Sequence, residues 1–289
     1  MNEIRYYLHA ITPLHVGAGR GLGYIDMPIT REKVTNWPYV PGSSVKGVIA
    51  DIFKASSDED RKENQYKKAA FGLSGSDNDS AAGALVFTDA NLLCLPIRSF
   101  YGTFAWVTSP FCLSRFDNSI NLPDFPEEKD AFITNHSVLI REDKKIYLED
   151  LDVNAVENSE AGKIAGNIAK ILFKDNAKWQ KFFTQRFAIV NDDLFTFLCE
   201  SGTDVSAHIR IDPETGIVQE RALWYEETLP VESILSGKIW CDKVYDDNIQ
   251  KKDLIEHYCK NDLDFQIGGK ASTGKGQVHC VFETLKAGD

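Results

Sequence analysis

The segment HVGAGRGLGYIDMPITRE (15–32) sets four glycines into the seven positions from Gly17 to Gly23 and then delivers a single acid, Asp26. It lies between two legible elements. Upstream, IRYYLHAI (4–11) alternates with Ile4, Tyr6, Leu8 and Ala10 on one side, the pattern of a half-buried strand. Downstream, beyond Pro41-Gly42, SSVKGVIADIFKA places Val45, Val48, Ile49, Ile52 and Phe53 on one helix face, with Ser43 or Ser44 as N-cap. The chain therefore opens as strand, long loop, helix. A dinucleotide cradle is excluded: G-x-G-x-x-G fails at Leu22 when started from Gly17 and at Tyr24 when started from Gly19, and no helix opens at the glycines.

The other end repeats the theme. DFQIGGKASTGKGQVHCVFETL feeds a second glycine loop into an alternating strand with Val278, Cys280 and Phe282 on one face. Gly269 to Lys275 fits G-x-x-x-x-G-K, but Gly276 stands where a magnesium-binding hydroxyl belongs, and a strand follows where a phosphate-facing helix is required. No nucleotide cofactor is expected. The loop reads either as a plain turn or as flexible backbone whose Lys270 and Lys275 approach a nucleic-acid backbone.

Between these ends, a capping box at Ser56 and Glu59 opens a polar helix ending near Phe71, and 73–83 reads as an exposed loop. One or two strands and then a short helix or turn are expected over 84–108, with a hairpin at 137–150, a helical region over 160–185 and a strand at 186–190. Asp192 and Asp193 start a further helix, two alternating stretches flank Asp212–Gly216 as a hairpin, and another helix covers about 247–261. With no Pro- or Ser-rich linker, the 289 residues read as one α+β domain with large insertions.

Charge bears on partners. The net −11 argues by itself against nucleic-acid binding, yet 117–160 alone carries net −8, as an acidic insertion, while residues 1–50 carry net +2. One neutral or basic face therefore stays available to RNA. Six cysteines, at least 18 residues apart, have neither zinc nor dithiol spacing and read as buried reduced thiols. No run is long and apolar enough for a membrane span, and the N-terminus is no signal peptide, so a cytoplasmic protein without membrane contact is expected.

The chemistry-bearing residues cluster in and around the first glycine loop. Basic Arg20 and Arg31 flank Asp26, an arrangement suited to a phosphodiester, and Asp26 reads either as a solvated surface acid or as a carboxylate holding magnesium through water. His15 is a proton-transfer group or a structural strand-end histidine, and Glu226 and Glu227 in ALWYEETLP add carboxylates or start a helix. His208 and Arg210 alternate with Ile209 and Ile211, which puts them on the polar face of the hairpin within reach of RNA. Asp89 caps or closes a turn.

Taken together, HVGAGRGLGYIDMPITRE, YVPGSSVKGVIAD, AGALVFTDANLLCLPIRSFYGTFAWVTSPFCLSRF, ALWYEETLP and IGGKASTGKGQV resemble, in order, the blocks of the backbone ribonuclease subunit of the type III-B CRISPR effector, the Cmr complex, within the RAMP superfamily. The resemblance implies a ferredoxin-like, RRM-related palm and a β-hairpin thumb, placed here at about 206–224. It implies an antiviral ribonucleoprotein: copies stacked along guide CRISPR RNA, beside other Cmr subunits, each cutting the paired target RNA with a divalent ion, magnesium or manganese. Asp26 falls on the family's catalytic aspartate, with His15, Tyr225, Glu226 and Glu227 in supporting places. Gly17, Gly19, Arg20, Arg31, Ser43, Ser44, Lys46, His208, Arg210, Lys270, Ser272 and Lys275 become RNA-binding candidates. A non-catalytic guide-binding scaffold and a monomeric guide-processing ribonuclease are the competing readings.

Overall fold

The structure, a computed structural model, describes residues 3–19, 21, 23–53, 61–73, 81–120, 122, 124–125 and 130–285. Strand β1 (Ile4–Ala10) is buried on both sides, with Ile4, Tyr6, Leu8 and Ala10 in one apolar cluster and Tyr7 in the opposite one. Its alternation thus assigns each residue to a layer, but the strand is central rather than half-buried. Beyond the glycine loop come β2 (Tyr39–Val40) and α1 (Gly42–Ile52). Neither Ser43 nor Ser44 caps this helix: Pro41 occupies the cap, and Asp89 Oδ1 accepts the Gly42 N–H at 2.8 Å from another part of the chain.

Helix α2 (Arg61–Phe71) leads into β3 (Gly72–Leu73), which pairs with β4 (Ala81–Ala82). Ser56, Glu59 and most of the loop expected at 73–83 lie outside the described residues. Next are β5 (Leu85–Phe87), β6 (Ala90–Ser99), β7 (Thr103–Thr108) and α3 (Pro110–Phe116). The acidic stretch contributes β8 (Asp130–Ile133), β9 (Lys145–Leu148) and β10 (Leu151–Glu157), so its hairpin spans 145–157 and not 137–150. The helical region expected at 160–185 is two helices, α4 (Ser159–Phe173) and α5 (Ala177–Thr184), the second capped by the Asn176 side chain. Strand β11 (Phe187–Val190), α6 (Asp192–Ser201), β12 (Asp204–Ile211), β13 (Val218–Thr228), β14 (Ile234–Cys241), α7 (Lys251–Tyr258), β15 (Leu263–Gln266) and β16 (Gln277–Thr284) complete the described chain.

Twelve strands join one sheet, with main order β15-β16-β1-β14-β6-β7-β11-β8-β10-β9. Strand β6 serves two neighbourhoods: its first half pairs with β14 and its second with β7. From β6 onward the sheet curls until Ser99 pairs with Leu148, closing β6, β7, β11, β8, β10 and β9 into a six-stranded ring. The acidic stretch therefore supplies three strands of that ring. Ala131, Ile133, Ile146, Leu148 and Val153 share one apolar cluster and Phe132 joins the other, so β8 is buried on both sides, while Lys145, Asp152 and Asn154 on β9 and β10 are not buried. On the β1 part of the sheet, α1 and α7 bury Val45, Ile49, Leu254 and Tyr258 against one face, and α4 buries Ile164, Ile168 and Leu172 against the other.

All six cysteines are free and buried, and burial pushes the thiols of Cys94, Cys112, Cys199, Cys241, Cys259 and Cys280 up. Among the described residues no helix is long and apolar enough to cross a membrane. Strands β12 and β13 stand apart as a two-stranded hairpin. The apolar side of that hairpin does not face a core: Val205, Ile209, Ile211, Ile217, Val218 and Leu223 are all exposed.

Candidate functional site

The end of β13 runs between the two glycine loops and binds both. Residues 16–18 and 28–30 pair as an irregular ladder, with Thr30 N–H on the Val16 carbonyl and Ala18 N–H on that of Pro28. The outer limb of this ladder then lies against β13. Asp26 and Met27 both donate their N–H groups to the Tyr225 carbonyl at 3.1 Å, and the Glu227 N–H returns to the Met27 carbonyl at 3.0 Å. Asp26 Oδ2 accepts the Tyr225 N–H at 2.8 Å. The carboxylate is exposed, and its Oδ1 has no partner among the described residues.

Glu227 anchors the loop from beneath. It is 3% exposed, and Arg31 Nη2 donates to its Oε1 at 2.6 Å, joined there by the Thr203 hydroxyl at 2.9 Å. The Ile29 N–H donates to Oε2 at 3.0 Å, and Arg31 also reaches the carbonyls of Asn36 and Cys199. The Arg31 and Ile29 bonds to Glu227 tie the glycine loop to β13, and the Arg31 bond to the Cys199 carbonyl ties it to α6, so Arg31 is spent inside the molecule.

His15 joins the two glycine loops. Its Nδ1 lies 2.8 Å from the Glu227 carbonyl, which can only accept, so Nδ1 carries the proton. The Gly269 N–H donates to the His15 carbonyl at 2.8 Å. That approach demands glycine: at Gly268, with φ +84°, a Cβ would stand 2.3 Å from the His15 carbonyl oxygen. At Gly17 a Cβ would stand 2.9 Å from His15 Nε2, so the imidazole packs against bare backbone.

Glu226, next along β13, turns the opposite way and is 1% exposed. Lys275 Nζ meets its Oε1 at 2.6 Å and Lys270 Nζ its Oε2 at 2.9 Å. Burial disfavours the charged form, but the two ammonium groups outweigh it and hold the carboxyl below the usual range. His208 stacks on its cross-strand neighbour Trp224 with ring centroids 5.5 Å apart, and its Nε2 lies 4.0 Å from Glu226 Oε2.

The structure thus brings His15, Asp26, Arg31, Tyr225, Glu226, Glu227, Lys270 and Lys275 together, and His208 beside them. Other candidates lie elsewhere or are already occupied. Lys46 donates to the Leu85 carbonyl at 2.9 Å, and burial lowers its pKa. Ser43, Ser272, Gly17, Gly19 and Arg210 are exposed, Ser44 is half-buried, and Arg20 lies outside the described residues. Sequence reasoning missed Thr203, Trp224 and the Cys199 carbonyl. Trp224 could not be reached by counting from the turn: regular pairing from Ile211–Val218 would set His208 against position 221, and the register shift between Ile209 and Ile211 brings Trp224 there instead. Thr203 and Cys199 carry no local signal either.

A family model described as the RAMP superfamily matches residues 7–279, both glycine loops included. The chain belongs to the RAMP superfamily. Within it, this RAMP chain groups with Cmr4: over 287 residues, 96% of the chain and 95% of the relative, it is 32% identical to the CRISPR system Cmr endoribonuclease Cmr4 of Pyrococcus furiosus. It is 22% identical to the CMR subunit Cmr4 of Saccharolobus solfataricus, with 94% of each chain covered. Among solved structures, oligomeric Cmr4 from Pyrococcus furiosus matches with TM-score 0.74 at 24% identity, covering 99% of this RAMP chain and 100% of that one. A chain of the type III-B Cmr-beta complex bound to cognate target RNA matches with TM-score 0.73 at 20% identity, covering 98% and 97%. The two likenesses establish a shared RAMP fold.

Proposed function

We propose that the chain is a CRISPR RNA-guided, metal-dependent endoribonuclease that stacks in copies along the guide within a type III-B effector and cuts the paired target RNA at regular intervals. The observation that carries this reading is the seat of Asp26, an exposed carboxylate with one oxygen fixed by the Tyr225 N–H and the other open. The 32% identity to a Cmr endoribonuclease over nearly the whole chain supports the reaction class.

The order β16-β1-β14-β6, with every neighbour antiparallel and α1 and α7 on one face, supports a ferredoxin-like palm related to the RRM. The detached β12–β13 hairpin is its thumb. Ile209, Ile217 and Leu223, exposed on that hairpin, are apolar wedges of the kind that part stacked bases. A displaced nucleotide frees its sugar-phosphate linkage to reach the in-line geometry that a stacked helix denies it. The 2′-oxygen then attacks the adjacent phosphorus and the bond to the 5′-oxygen breaks. The 2′-hydroxyl loses its proton and the leaving oxygen gains one, so a cyclic phosphate and a 5′-hydroxyl form without consuming water.

Among the described residues no three His, Cys, Asp or Glu side chains converge as a metal cage. One open carboxylate does fit a magnesium- or manganese-type ion that keeps most of its waters. Asp26 would hold such an ion through water, and the ion would supply charge stabilisation at the phosphoryl oxygens and acidify the 2′-hydroxyl. Glu227, bonded to Arg31, Thr203 and Ile29, holds the Asp26 loop, and His15 holds the two glycine loops together. Guide gripping falls to exposed backbone and hydroxyls at Gly17, Gly19, Ser43 and Ser272 and to Arg210 on the thumb. Base pairing supplies sequence specificity, so a chain of net −11 needs few free cations. The test is Asp26→Asn in the reconstituted, guide-loaded complex: target stays bound and uncut. Undiminished cutting would favour the scaffold reading, with cleavage done by another subunit.

A further inference from the structure

We infer that Lys270 and Lys275 are positioning residues: through Glu226 they lock the C-terminal glycine loop to the strand that holds Asp26, so that loop and carboxylate move as one body. The inference rests on the reading of Asp26 given above.

Geometry makes the case. An ammonium 2.6 Å from a carboxylate that is 1% exposed is an internal counter-charge, and the Lys275 side chain is itself only 16% exposed. Burying a carboxylate without a partner is costly, so one lysine is required; the second adds a bond to the same loop five residues away. Lys270 also sits at φ +66°, a left-handed conformation that is unfavourable for a non-glycine residue. Such strain persists where surrounding contacts over-determine a residue's place. Such contacts surround Lys270: the Thr273 and Lys275 N–H groups both bond its carbonyl, and its side chain bonds Glu226.

From Glu226 the connection to Asp26 is a single residue long. Tyr225 donates its N–H to Asp26, and Met27 bridges Glu226 itself. A displacement of Glu226 along β13 therefore carries the Tyr225 N–H with it. Ångström-scale misplacement of a reacting group costs about a hundredfold in rate. The lysines thus do for Asp26 what a phosphate-gripping role would not: they set the cutting rate and leave the guide's electrostatic grip unchanged.

The complex reconstituted with guide and target RNA tests this, with Lys275→Met, Lys270→Met, Glu226→Lys and the reversed pair Glu226→Lys/Lys275→Glu assayed beside Asp26→Asn. Single-turnover cutting at saturating target and guide affinity across a salt series are both read. Lys275→Met is expected to slow cutting about ten- to a hundredfold, with guide affinity and its salt slope unchanged. The reversed pair is expected to recover cutting lost in Glu226→Lys. A Lys275→Met complex that cuts at the normal rate overturns the inference, whether or not its salt slope falls by about one, the mark of a lost phosphate contact. If Lys275→Met fails to assemble, the reversed pair decides: recovery over Glu226→Lys supports the lock, and no recovery overturns it. Cutting by Asp26→Asn would instead remove the reading beneath it.

Discussion

Asp26 and Tyr225 hold one another from both sides: the Tyr225 N–H donates to Asp26 Oδ2 at 2.8 Å, and the Asp26 N–H donates to the Tyr225 carbonyl at 3.1 Å. Both bonds use the backbone of β13. The seat of the carboxylate is therefore set by where that strand lies, and the side chains that fix the strand control the site at one remove.

Arg31 is the strongest of those controls on the loop side. Replacing it by Met leaves Glu227 buried with only the Thr203 hydroxyl and the Ile29 N–H, and removing one partner of a buried pair costs about 3–5 kcal/mol. Urea unfolding of Arg31→Met should show a loss of that order. The double variant Arg31→Met/Glu227→Gln should recover a large part of it, because the stranded charge is gone.

The Glu226 cluster makes stability depend on pH in a defined direction. Its carboxyl is held below the ordinary range by Lys275 and Lys270 against the opposing effect of burial. Its contribution is therefore complete above the unfolded carboxylate value and is lost as pH falls through the depressed folded value. Melting temperature should fall as pH drops below about 5, and fall less in Glu226→Gln. Some of the drop will remain, since Glu32, opposed by burial but bonded by Arg115 and Thr35, is lowered in the same way.

On the β12–β13 hairpin, Ile209 and Ile217 are 50% and 67% exposed. Changing both to Ser should alter stability by no more than about 0.5 kcal/mol per site. Target cutting should nonetheless slow, because a polar tip is a poorer wedge between bases. Equal rates for the double variant and the parent would remove these side chains from the mechanism.

Local pattern carried the elements, and its limits have physical causes. The period of two in 4–11 sorted Tyr6 from Tyr7 into opposite layers, yet it could not reveal that both layers exist, since that depends on helices over a hundred residues away. Hairpin pairing about Asp212–Gly216 was legible because turn and alternation lie close together. The six-stranded ring was not: β10 lies parallel to β8 and antiparallel to β9, and short strands look alike whichever neighbour they take. Site cations were the hardest. Arg31, Lys46, Lys270 and Lys275 read as free charges, but each found a partner far along the chain or at a backbone carbonyl. Asp26 was singled out by family resemblance, and its exposed, backbone-held seat is what the structure adds.

Asp26 itself provides the most direct measurement of the central claim. In single-turnover assays of the guide-loaded complex with magnesium, Asp26→Asn should bind target RNA as the parent does and yield none of the cyclic-phosphate and 5′-hydroxyl fragments. Fragments of the same size, appearing at the parent's rate, would contradict it.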